Sequence, residues 1–221
     1  MTSEDSGWSE LHGGVQPSPV VRGWLRLVRL LAAGPVTRIP PDALSVAGIV
    51  ALAAAWWAVA GPGWPAAVVP LVLAAGILDG LDGAVALRTG RARPLGAVVD
   101  SVADRIGDLL LGAILVALGA PWGWALAAVI LVFLLEYVRA RAQAVGMPGV
   151  GAVTVAERPT RLILVGVAAA GVAVAGPRVP LLGWDFAGSL TIAWTVVGVV
   201  GLAQLLRGVR RAMPRHFPPD R

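Results

Sequence analysis

The chain has 221 residues, 57% of them hydrophobic and 14% charged, with a net charge of +5. That apolar share exceeds the roughly 45–50% usual for soluble domains and points to an integral membrane protein. It contains no cysteine, which excludes disulfides and thiolate metal sites, so any metal must sit on oxygen or histidine.

In chain order, residues 1–19 are polar and acidic, the reverse of the basic start and early apolar run of a secretion signal, and predict a disordered tail that is not cleaved. Residues 20–39 place Val21, Trp24, Leu25, Val28 and Leu31 at helical spacing, with Arg22, Arg26 and Arg29 on the other face. This predicts an amphipathic helix lying on anionic lipid; a short helix packed on the domain is the alternative. Residues 40–206 read as one membrane domain. Six apolar segments, near 43–60, 65–87, 95–118, 122–143, 160–176 and 186–206, approach the roughly 20 residues that a helix rising 1.5 Å per residue needs to cross about 30 Å of hydrocarbon. Turn clusters such as Gly61-Pro62-Gly63, Gly119-Ala120-Pro121 and Gly176-Pro177 separate them. Residues 207–221 form a basic tail with Pro214, Pro218 and Pro219, expected against lipid headgroups rather than nucleic acid. The predicted fold class is therefore all-α and polytopic, with six transmembrane helices and an interfacial helix before them.

All 18 basic residues are arginine, and their distribution sets an orientation, because Lys and Arg are retained on the cytoplasmic side. Sixteen of them fall before the first span, around the second-to-third and fourth-to-fifth connections, or after the sixth span; Arg178 alone lies on the opposite side and Arg105 inside a span. Both termini are expected in the cytoplasm, in a multi-pass protein of the plasma membrane. Most of the nine tryptophans, including Trp56, Trp57, Trp64, Trp122, Trp124 and Trp184, flank predicted span ends and read as an interfacial belt. His12 and His216 lie in polar tails and are not expected to be ligands.

Five aspartates interrupt the apolar pattern. Each costs about 2.5–3.5 kcal/mol near the middle of a membrane helix, so such residues are functional candidates. Asp79 and Asp82 stand at i and i+3 near the end of the second segment, and Asp100, Asp104 and Asp108 at i, i+4 and i+8 near the start of the third, so each set shares a helical face. The short connection 88–94 makes the two segments antiparallel neighbours whose acidic faces can meet at the cytoplasmic interface. Arg105 and nearby arginines offset part of the charge; hard divalent cations suit clustered carboxylates better, and two of them can clamp a phosphoryl group. Gly80, Gly83 and Gly96 would admit a phosphate or nucleotide close to the backbone. Taken singly these glycines read as helix-packing residues, and Gly76 and Gly80 do have small-xxx-small spacing. In register with the aspartates they favour a site.

The stretch Asp79-Gly-Leu-Asp82-Gly83-Ala-Val-Ala86-Leu87-Arg88, followed by Gly96-Ala-Val-Val-Asp100-Ser-Val-Ala-Asp104, resembles the signature of the CDP-alcohol phosphotransferase family, D-x2-D-G-x2-A-R-x8-G-x3-D-x3-D. Seven of its eight fixed positions match; Leu87 stands where the signature has Arg, with Arg88 one residue later. The resemblance implies that Asp79, Asp82, Asp100 and Asp104 hold Mg²⁺ or Mn²⁺, two ions in all, that Asp104 is the base for an acceptor hydroxyl, and that Gly83 and Ala86 line the pocket of a CDP-linked lipid. Arg88 substitutes for the missing Arg only if the helix end unwinds, since a helix turns about 100° per residue. Pro41-Asp42-Ala-Leu-Ser45 is similar to the family's Pro-Asn-x-x-Thr segment, which would add Asp42 and Ser45 to the nucleotide contacts; Pro and Asp also simply start helices.

A narrower resemblance, to the actinobacterial phosphatidylinositol-phosphate synthase branch, rests on Tyr137-Val-Arg139-Ala-Arg141-Ala and Glu157-Arg158-Pro-Thr-Arg161. It implies that Arg139, Arg141, Arg158 and Arg161 receive the phosphate of a phosphorylated acceptor, a task suited to bidentate guanidinium. Retention of positive loops on the cytoplasmic side accounts for the same arginines. The implied activity is transfer of a phosphatidyl-type group from a CDP-linked lipid, CDP-diacylglycerol in the first instance, to an alcohol such as inositol phosphate or glycerol phosphate with release of CMP, in phospholipid synthesis. A homodimer is implied by the family alone. The competing readings are an ion-coupled transporter, disfavoured because spans one, five and six carry almost no polar residues, and a catalytically degenerate family member, motivated by Leu87. An EF-hand is excluded because the aspartates lack its alternating ligand spacing.

Overall fold

The computed structural model describes residues 23, 26–28, 30–177 and 185–213. The tail 1–19, the helix-face residues Val21, Arg22, Trp24, Leu25 and Arg29, and Arg178, Trp184, Pro214, Arg215, His216, Pro218, Pro219 and Arg221 lie outside the described residues. A short 3-10 turn, Pro35–Arg38, precedes six long helices: α1 (Pro41–Ala60), α2 (Pro65–Arg88), α3 (Pro94–Ala117), α4 (Trp122–Ala144), α5 (Arg158–Ala175) and α6 (Phe186–Ala212).

The helix starts are legible in the chemistry of the chain. Proline opens α1, α2 and α3 at Pro41, Pro65 and Pro94, where its missing N–H goes unneeded and its fixed φ is already helical. Asp42 does not cap α1: its side chain accepts no hydrogen bond from the first turn. Asp185 does cap α6, accepting from the amides of Ala187 and Gly188 at 3.2 and 2.9 Å. The α2–α3 connection turns at Gly90, whose φ of +65° favours glycine. α6 continues through Ala212 rather than stopping near residue 206, so Arg207, Arg210 and Arg211 extend the helix.

Five helices, α1, α2, α4, α5 and α6, are long and apolar enough to cross a membrane. α3 is 24 residues long, but Asp100, Asp104, Arg105 and Asp108 set its composition apart. It nonetheless lies within the bundle, packed against α1, α4, α5 and α6. The core gathers Leu52, Val68, Val72, Leu111, Ile114, Leu115, Val129, Val165 and Trp194, all buried. Among the described residues ahead of α1, Val28 and Ala32 pack on Leu44, Leu81 and Val85, while Leu27, Leu30 and Leu31 remain exposed. One face of this helical segment therefore docks on the domain and another stays free.

Two features orient the bundle. Cross-contacts gather the starts of α1, α3 and α5 with the ends of α2, α4 and α6: Asp42 meets Arg93, Arg158 meets Asp79, Arg139 meets Glu157, and the Val155 amide donates to Gln204. The exposed tryptophans Trp56, Trp57, Trp64, Trp122 and Trp124 stand at the other end, around the α1–α2 connection and the start of α4.

The expectation that α2 and α3 are antiparallel neighbours whose acidic faces meet is met at the site end, where Asp79 approaches Asp100 and Asp104, and corrected along the rest of the two helices. They do not run in contact along their length; α1 and α5 each touch both and hold them apart. The short connection brings their ends near, and α1 and α5 pack against both helices along the rest of their length.

Close packing yields a stability prediction. A Cβ on Gly208 would lie 2.6 Å from the Gly151 carbonyl oxygen and 2.7 Å from Ala152 Cβ, whereas one on Gly166 would meet nothing within 4 Å. Overpacking costs about 1–3 kcal/mol, against about 1 kcal/mol that Ala gains over Gly in a helix. Gly208→Ala should therefore lower the thermal midpoint in detergent, and Gly166→Ala should leave it unchanged or raise it, with tryptophan fluorescence as the readout.

Candidate metal and phosphoryl-transfer site

One carboxylate oxygen from each of Asp79, Asp100 and Asp104 lies within 4.8 Å of the other two. Asp79 comes from the penultimate turns of α2 and the other two from successive turns of α3, so the group spans the space that α1 and α5 maintain between these helices. All three residues are partly accessible. Three hard oxygens so close repel unless a cation lies among them, and their chemistry fits Mg²⁺ or Mn²⁺.

Asp82 faces α1, outside this group. The Ser45 hydroxyl donates to its Oδ2 at 2.6 Å and the Gly83 amide to its Oδ1 at 2.6 Å, and it is buried. Ser45, expected at a nucleotide, thus reaches the site through Asp82. Asp42, one turn earlier on α1, pairs with Arg93 at 2.5 Å, and this pair lies beside Gly96, where a Cβ would come within 3.3 Å of Arg93 Cγ. A Cβ on Gly83 would meet nothing within 4 Å, which leaves open space beside the aspartates. Ala86 is half-buried, while Leu87 and Arg88 are exposed.

Asp108 shares the α3 face with Asp100 and Asp104 but turns away from their group. It is fully buried, receives Arg161 Nη1 at 2.5 Å on one oxygen, and Arg105 at 3.0 Å on the other. Arg161 also donates to the Ala156 carbonyl at 3.1 Å and approaches Glu136 at 3.7 Å. Arg105 reaches Asp104 and Glu136, each at 3.8 Å. Arg139 is held by Glu136 at 3.3 Å and by Glu157 at 3.0 Å. Arg158 bridges Asp79, at 3.3 Å, and Asp104, with which it makes a close contact. Arg141 is exposed. Three of the four arginines assigned to an acceptor phosphate therefore already have carboxylate partners.

Glu136 is the site residue that the sequence reading passed over, although it sits between Arg105, Arg139 and Arg161. Its signal was present: a lone acid after an apolar run, three residues before Arg139.

The model of the family described as CDP-alcohol phosphatidyltransferase matches residues 38–203. The chain belongs to that family. It is 37% identical over 103 residues to an archaetidylinositol phosphate synthase of Pyrococcus horikoshii, a match covering 44% of this chain and 53% of that protein. It is 32% identical over 176 residues to the phosphatidylinositol phosphate synthase of Mycobacterium marinum, covering 76% of this chain and 67% of that one. The chain thus spans little more than half the length of the archaeal relative. Among solved structures, the Mycobacterium tuberculosis phosphatidylinositol phosphate synthase with manganese and citrate superposes with a TM-score of 0.67 at 26% identity, over 86% of this chain and 93% of that one. The same synthase with CDP-DAG bound gives 0.66 over 86% and 98%. The resemblance read from the aspartate signature is borne out, and Leu87 is a departure from the CDP-alcohol phosphatidyltransferase signature at an exposed helix end.

The Asp108–Arg161 pair yields the prediction here. Removing one partner of a buried pair costs about 3–5 kcal/mol because it strands the other charge. Asp108→Ala should accordingly lower the thermal midpoint sharply, and adding Arg161→Met should recover part of the loss.

Proposed function

We propose that this chain transfers a phosphatidyl-type group from a CDP-linked lipid to the hydroxyl of a small phosphorylated alcohol, releasing CMP, in phospholipid synthesis. The observation that carries the reading is the convergence of Asp79, Asp100 and Asp104 on the spacing of the family signature. CDP-diacylglycerol is the donor favoured by the lipid on the solved relative, and inositol phosphate the acceptor favoured by the relatives' names; glycerol phosphate fits the same basic surroundings.

Asp79, Asp100 and Asp104, with Asp82 beside them, would hold Mg²⁺ or Mn²⁺, which offsets charge on the diphosphate and on the leaving CMP. Asp104 takes the proton of the acceptor hydroxyl. The hydroxyl oxygen then bonds to the lipid-side phosphorus as that phosphorus parts from the bridging oxygen, which leaves on CMP with the electron pair. The open space at Gly83 and the half-buried Ala86 suit the nucleotide end of the donor. An apolar groove of about 540 Å³ along α3 and α4, lined by Val98, Val102, Ile106, Leu109 and Phe133 with Arg105 at its side, suits a lipid chain entering from the bilayer. Arg139, Arg141, Arg158 and Arg161 surround the approach of a phosphorylated acceptor.

The orientation follows from the arginines: α3 completes six spans, and the site end and both termini face the cytoplasm of a plasma-membrane protein. The segment before α1 lies at that interface with its free leucines toward lipid, and the chain works as a homodimer, as the family resemblance implies.

Purified protein given CDP-diacylglycerol, Mn²⁺ and inositol phosphate should release CMP, and Asp104→Asn should reduce that rate at least a hundredfold, in keeping with the usual worth of a general base. CMP release that persists without metal, or in Asp104→Asn, would sink the mechanism. Leu87 is exposed, so Leu87→Arg should leave the thermal midpoint unchanged; a lower KM for the donor would mark the lost signature arginine as a nucleotide contact.

A further inference from the structure

Asp104 is flanked by two guanidinium groups, and only one of them has anchors outside the acidic group of Asp79, Asp100 and Asp104. Its Oδ2 faces Arg105 at 3.8 Å and its Oδ1 takes Arg158. Arg105 is tied to Asp108 at 3.0 Å and lies near Glu136. The carboxylate partners of Arg158, among the described residues, are Asp79 and Asp104 alone. Its Nε is buried and, although 3.3 Å from Asp79 Oδ1, makes no hydrogen bond. The guanidinium rests against Gly107, where a Cβ would lie 3.1 Å from Nη2; this seat exists because position 107 lacks a side chain.

Asp79, Asp100 and Asp104 bring three formal negative charges to this place and Arg158 one positive charge, so the group still favours added cationic charge. A divalent cation and a guanidinium cannot share oxygens that lie within 4.8 Å of one another without strong like-charge repulsion. The arginine with the fewest other ties is the one to yield.

We propose that Arg158 is an exchangeable counter-cation: it and a divalent metal ion are alternative partners of Asp79 and Asp104, and metal entry releases Arg158 toward the phosphate of the acceptor. This rests on the metal and acceptor reading above. It makes acceptor capture depend on prior metal binding, because the receiving guanidinium is tied up until then. Arg158 opens α5, so its long side chain can change partners without moving the helix, and the positive N-terminal end of α5 favours an anion at the new position.

Two measurements on the full-length protein in detergent test this. In the first, free Mn²⁺ is followed by electron paramagnetic resonance during titration without substrates. Arg158→Gln should bind Mn²⁺ at least tenfold more tightly than the unaltered protein, Arg158→Lys should fall between, and Arg207→Gln, which removes an exposed charge at the same end of the bundle, should change affinity less than twofold. In the second, which needs no variant, phenylglyoxal labelling of arginines is mapped by mass spectrometry. Mn²⁺ should speed labelling of Arg158 several-fold and leave Arg207 unchanged. Unchanged or weaker Mn²⁺ binding in Arg158→Gln, an equal gain in Arg207→Gln, or labelling of Arg158 that Mn²⁺ leaves alone or slows would overturn the exchange while leaving the transferase reading intact. Failure of every form to bind Mn²⁺ would overturn the metal reading itself and the exchange with it.

Discussion

Charge inside an apolar bundle has to be paired, and the pair that anchors this structure is Asp108 with Arg161. Both are essentially removed from solvent, where an isolated charge would cost several kcal/mol. Their contact ties α3 to α5. From it, ion pairs run outward through Arg105 and Glu136 to Arg139 and Glu157, joining α3, α4 and the segment before α5. α3 can carry Asp104, Arg105 and Asp108 within a hydrophobic domain because α4 and α5 supply opposite charges at matching heights in Glu136, Arg158 and Arg161.

The same arrangement creates the site. Since α1 and α5 hold α2 and α3 apart, the oxygens of Asp79, Asp100 and Asp104 face a shared space rather than one another's helices. Ser45 and the Gly83 amide occupy both oxygens of Asp82 and fix that carboxylate between α1 and α2. The partly accessible aspartates share a space that a cation can enter, although Asp79 and Asp104 also pair with Arg158, while the fully buried one, Asp108, has a structural partner. Burial thus separates two tasks among residues that look equivalent along one helical face.

The two ends of the bundle differ in a way that suits a lipid-processing enzyme. Among the described residues, the arginines and every charged group but Asp185 collect at one end, and exposed tryptophans mark the other. Between them, outward-facing valines, leucines and isoleucines cover the helices, as expected for a surface that meets acyl chains rather than water. A site at one end of such a bundle suits the proposed transfer, in which a water-soluble acceptor would arrive from outside the bilayer and a lipid donor from within it.

The sequence by itself determined the helices and the identity of the acidic centre. Apolar runs bounded by Pro and Gly placed five of the six helices within two residues at each end and α6 six residues short at its C-terminal end. The apolar run sets helix length and local backbone chemistry sets helix starts, whereas the arginines that extend α6 carry no apolar signal. The spacing of Asp79, Asp82, Asp100 and Asp104 named the family, because that spacing is fixed by which helical faces must converge. Only the tertiary structure decided which carboxylates converge and which are spoken for. That α1 and α5 intervene between α2 and α3, that Asp82 turns to Ser45 and Asp108 to Arg161, that Glu136 links three arginines, and that Arg158 lies among the aspartates are contacts between residues distant in the chain. Helical periodicity assigns a residue to a face, but the partner that face meets depends on how the helices pack.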